Sequence, residues 1–80
     1  MKLEDFKKAG WNIDKAINIA SKEYDTYSAY FDAISNLADI YPKDMPINVI
    51  TLSLDDIATV EEVEYTCREI VSAISINCNI

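Results

Sequence analysis

Apolar residues fall at Ile13, Ile17, Ala20, Tyr24, Tyr27, Phe31, Ile34, Ala38 and Tyr41, separated alternately by four and three positions. This is the spacing of a helix with one apolar stripe, and neither Gly nor Pro interrupts it. The pattern predicts a single heptad-patterned helix over about 12–41, capped by Asn12 and stopped by Lys43, Asp44 and Pro46. Asp25 and Thr26 are its weak point, because both side chains compete for backbone hydrogen bonds. Two helices hinged at 25–26 are the alternative. Continuity is favoured because the phase passes through Tyr24 and Tyr27 unchanged.

The flanking segments carry their own signals. Leu3 and Phe6 stand one turn apart ahead of the only glycine, Gly10. A short first helix closed by a left-handed Gly10 lets Trp11 pack back on Phe6. Thr59 and Glu62 have capping-box spacing, and Val63, Cys67, Ile70 and Ile74 predict a last helix over about 60–76. Residues 47–54 fit both periods: Ile50, Leu52 and Leu54 alternate as a strand would, whereas Ile47, Ile50 and Leu54 share a helix face. A short helix is favoured, since a lone strand lacks a ladder partner. The predicted fold class is therefore all-α, a small helical bundle or hairpin in one domain over 1–80, with no internal repeat or linker. Ile74 to Ile80 also alternate apolar with polar residues. The alternative architecture is accordingly α+β, with 47–54 pairing with 74–80.

Eighty residues bury roughly 60–65% of the surface that the unfolded chain exposes, so oligomerisation, a metal or disulfides are natural supplements. Cys67 and Cys78 are the only cysteines and there is no histidine, which argues against zinc and against a disulfide scaffold. The first residues, MKLEDFKKAGW, are too charged for a secretory signal, and no apolar stretch approaches the ~20 residues of a membrane span. The chain is expected to be cytoplasmic, without membrane insertion. Its net charge of −7 divides into +2 over residues 1–22 and −9 over residues 23–80. Such acidity repels nucleic-acid phosphates and favours a protein partner with a basic surface.

Candidate chemistry is sparse. Asp55, Asp56, Glu61, Glu62 and Glu64 form the densest acidic group, suited to docking on Lys and Arg and equally to stabilising the positive ends of helices. No glycine completes a calcium loop near any acid pair, and neither cysteine has a histidine to activate it, so neither a metal nor a catalytic group is expected. The remaining candidates are the tyrosines Tyr24, Tyr27, Tyr30 and Tyr41, a residue type that serves both small cores and binding hot spots. Tyr30 lies off the 3-4 stripe and is the member expected to be exposed. Together these features predict a non-enzymatic, cofactor-free regulatory or inhibitory protein that acts by protein–protein interaction, as a homodimer or hetero-complex. Twelve Ile against four Leu, and six Lys against one Arg, suit an AT-rich genome such as a phage's. Small acidic phage proteins that act as lysis regulators, anti-restriction factors or transcription inhibitors have this manner. A DNA mimic and a homo-oligomeric assembly subunit are the alternatives.

Overall fold

The computed structural model describes residues 1–78 and is α+β. Helix α1 (Leu3–Lys8) precedes strands β1 (Asn12–Asp14), β2 (Ile19–Glu23), β3 (Tyr27–Asp32), β4 (Leu37–Pro42) and β5 (Ile50–Ser53), and helix α2 (Val60–Cys78) follows. The strands form one antiparallel meander in the order β1-β2-β3-β4-β5. The expectation of an all-α helical bundle built on a long helix over 12–41 is thus overturned, because that segment forms four strands and the turns between them.

Turn chemistry is what defeats the helix. Each of the loops 15–18 and 33–36 follows an aspartate and ends on an asparagine in the left-handed region, Asn18 and Asn36, both with φ of 56°. The Asp14 carboxylate accepts a hydrogen bond from the Ala16 amide at 3.1 Å, and Asp32 accepts one from Ile34 at 2.9 Å. An Asx turn at one end and a left-handed Asn at the other reverse the chain, and neither is compatible with a continuing helix. The two loops thus share an Asp-x-x-x-Asn pattern, a short local recurrence where no internal repeat was expected. Ile17 and Ile34, placed on the stripe by the helical reading, sit in these loops and are 60% and 78% exposed. At Asp25-Thr26 the chain reverses again, with the Tyr24 amide donating to the Tyr27 carbonyl at 2.8 Å.

The apolar spacing has a second solution in the sheet. Ala20, Tyr27, Phe31 and Ala38 are buried, but so are Ala29 and Ile40, which strand alternation requires and the helical stripe omits. One row crosses the inner face as Ile13, Ala20, Phe31, Ala38 and Leu52. The small side chains of Ala20 and Ala38 flank Phe31, whose ring stacks on Phe6 of α1 with centroids 4.2 Å apart. Helix α2 adds Val60, Val63, Cys67 and Val71 to the same core. Both helices therefore bury their apolar residues against one side of the sheet.

The outer elements of the chain follow their local signals. Gly10 has φ of 91°, the Trp11 amide donates to the Phe6 carbonyl at 3.0 Å, and Gly10 donates to Lys7 at 3.1 Å. These are the two bonds of a Schellman motif, and the Trp11 ring meets Phe6 edge-on at 4.8 Å. Thr59 caps α2, its hydroxyl accepting from the Glu62 amide at 3.2 Å. Residues 47–54 do not form the short helix that was favoured: β5 finds its ladder partner in β4, with Ile40 opposite Ile50 and Ala38 opposite Leu52. Nor does this segment pair with the tail, since residues 74–78 continue α2. Asn79 and Ile80 lie outside the described residues.

Candidate interaction surface

The nine residues singled out from the sequence divide among three places. Tyr24, Tyr27, Glu61 and Glu64 line an open cleft of about 520 Å³ between the β2–β3 turn and α2, together with Asp25 and Arg68. Tyr30 and Tyr41 lie on the opposite side of the sheet. Asp55, Asp56 and Glu62 are exposed around the connection to α2, where Asp55 accepts a hydrogen bond from the Asn36 side chain at 3.2 Å.

Within the cleft the Tyr24 and Glu64 side chains engage each other. Tyr24 and Tyr27 stack with centroids 4.5 Å apart, and the Tyr24 hydroxyl donates to the Glu64 carboxylate. Lys22 stands 3.6 Å from Glu64 and 5.3 Å from the centre of the Tyr24 ring, so one lysine serves both an ion pair and a cation–π contact. Burial, followed by the Glu64 contact, raises the Tyr24 pKa well above the ordinary phenol value. Burial likewise pushes the Tyr27 phenol up to about 12 and the Cys67 thiol up to about 11. All three groups are held in their neutral forms at neutral pH. Glu64 is already engaged by Tyr24 and Lys22, and these contacts fasten the β2–β3 turn to α2.

The other side of the sheet is different. Strand alternation brings outward one row of Ser21, Tyr30, Asp39 and Thr51, a second of Ser28 and Tyr41 beside Glu23, and a third of Ile19, Asp32, Leu37 and Ser53 beside Asp14. Tyr30 and Tyr41 meet edge-to-face with centroids 5.3 Å apart, and each is 43% exposed. Thr51 donates its hydroxyl to Asp39 at 2.8 Å across the β4–β5 ladder. The outward strand positions carry four acids, Asp14, Glu23, Asp32 and Asp39, and no lysine or arginine. Glu23 is held below the usual carboxylate range by the Lys43 ammonium, 2.9 Å away.

Sequence reasoning thus placed Tyr30 correctly on the surface but missed Asp32, Asp39 and Thr51 as its neighbours. The signal was the period-2 alternation of Tyr27, Ala29 and Phe31 against Ser28, Tyr30 and Asp32. Among the described residues no group of three potential ligands is placed to hold a metal ion, and no helix is long and apolar enough to cross a membrane. Comparison with family models, curated proteins and solved structures finds no match.

Proposed function

We propose that this protein is a non-enzymatic regulator that binds the basic surface of another protein through the uncovered outer face of its sheet. The observation that carries this reading is the pairing of Tyr30 with Tyr41 on a face whose charged strand positions are all acidic. A rigid tyrosine pair offers contact area at low entropic expense, and the surrounding carboxylates select for Lys and Arg. Both helices lie on the other side, so this face remains available without rearrangement of the core. The placement of the lysines of residues 1–22 supports the same reading, since Lys2, Lys7 and Lys8 belong to α1 and its start, Lys15 to the β1–β2 loop, and Lys22 to the inner face opposite Ala29.

The test compares immobilised wild-type protein with Tyr30→Ser/Tyr41→Ser and Asp39→Lys variants in lysate from the cells that encode it. The expected result is one protein retained by the wild type, released by raised salt, and lost with both variants while their melting temperatures stay close to wild type. Equal retention by wild type and variants would overturn the reading. Capture of nucleic-acid enzymes that duplex DNA displaces would point to phosphate mimicry instead.

A further inference from the structure

The two edges of the sheet are built differently. At one edge β1 has three residues, runs into Asp14 and Lys15, and has α1 packed beside it. At the other, β5 lies within an eight-residue stretch, Ile47 to Leu54, that contains no charge and is bounded by Pro46 and Asp55. Ile47 and Val49, just before the strand, are 37% and 46% exposed. Exposed edges are ordinarily protected by charge, proline or a bulge, and the outer edge of β5 carries no charged residue.

The backbone orientation of this edge follows from the ladder. Leu54 donates its amide to the Asn36 carbonyl at 3.1 Å, so the alternate residues Leu52 and Ile50 also turn their amides towards β4. Thr51 and Ser53, with Val49 ahead of them, therefore direct N–H and C=O away from the sheet.

From this geometry we propose that β5 pairs antiparallel with β5 of a second copy of the chain, about a two-fold axis at Thr51, to give a continuous ten-stranded sheet. In that register Thr51 faces Thr51 and Val49 faces Ser53, and these are the residues whose backbone groups point outward. Ile50 then faces Leu52 of the second copy on the inner side, so two half-buried apolar residues cover each other. Every acid stays off the shared ladder, because Asp55 lies beyond its end opposite Ile47. A second copy is favoured as occupant because the segment is complementary to itself in this register, and because an uncharged edge is where two chains of charge −7 meet with least repulsion. This assembly is held by the backbone of the β5 edge and shares only Thr51 and Ser53 with the outer face, whose reading rests on Tyr30, Tyr41 and Asp39, so either can fail alone.

Sedimentation equilibrium on wild type, Thr51→Lys and Ser53→Lys, across roughly 10 µM to 1 mM, tests the proposal. Thr51 and Ser53 are exposed, so both variants should retain the wild-type melting temperature. Two lysines facing each other across the axis should raise the dissociation constant of the dimer roughly two- to fivefold in Thr51→Lys. In Ser53→Lys, each lysine faces Val49, and a smaller weakening is expected. Wild type that remains monomeric throughout the range would overturn the proposal, as would a dimer that both folded variants form with wild-type affinity. Should Thr51→Lys fail to fold, Ser53→Lys supplies the same comparison.

Discussion

Removing the Phe31 ring is the sharpest perturbation of the packing described above. Phe31 is fully buried between Ala20 and Ala38 and stacked on Phe6, so its neighbours are too small to fill the space it leaves. Phe31→Ala should therefore destabilise the protein by about 3–5 kcal/mol, the range in which cavities form without collapse. A chain of this length is expected to be stable by about 4–12 kcal/mol, so the variant sits near the limit of folding. The urea midpoint should fall by about 2–4 M with an unchanged slope. Phe6→Ala should behave similarly, because its ring is also fully buried in the same cluster. The two losses should not add: a double-mutant cycle is expected to show a coupling of about 0.5–1.5 kcal/mol, since each ring is the other's stacking partner. A Phe31→Ala loss below about 0.5 kcal/mol would refute the placement of the ring, and strict additivity would refute the stack that joins α1 to the sheet.

Other outcomes follow from the same geometry. A Cβ on Gly10 meets nothing within 4 Å, so Gly10→Ala should lose only the left-handed backbone preference, about 1–2 kcal/mol, with Gly10→Asn losing less in thermal melts. Tyr27 has its pKa raised from 10.0 to about 12, so the native state keeps a proton that the unfolded chain releases. Its contribution to stability is complete below pH 10 and disappears as pH rises towards 12, and Tyr27→Phe should flatten that part of the stability–pH curve. Cys67 behaves in the same sense between pH 9 and about 11; with Cys78→Ser as background, a thiol reagent should modify Cys67 only as fast as the protein opens.

The parts of this fold legible in the sequence are those governed by neighbours a few residues apart. The Gly10 motif with its Phe6–Trp11 contact, the Thr59 cap and the last helix all emerge as expected, because their determinants lie within one or two turns. The sheet was obscured by an accident of spacing. Inward residues two apart in a strand, joined by loops of fixed length, put Ala20, Tyr27, Phe31 and Ala38 at intervals that a 3-4 helical stripe also satisfies. What separates the two readings is the burial of Ala29 and Ile40 and the left-handed Asn18 and Asn36. Alanine is a weak hydrophobic marker, and an asparagine's backbone conformation is invisible in composition. A helix would place the four tyrosines on one side. The sheet instead sends Tyr24 and Tyr27 to the α2 side and Tyr30 and Tyr41 to the open side, and the proposed function rests on the second pair alone.

Amide and side-chain NMR shift mapping of the labelled protein against the captured partner tests the functional claim most directly. The account predicts that perturbations concentrate on Tyr30, Tyr41, Asp39, Asp32 and Thr51, on the outer face, and leave the core helix positions Val63 and Cys67 nearly still. Perturbations centred on Glu61, Glu64 and Tyr24 in the cleft, with an unchanged outer face, would contradict it.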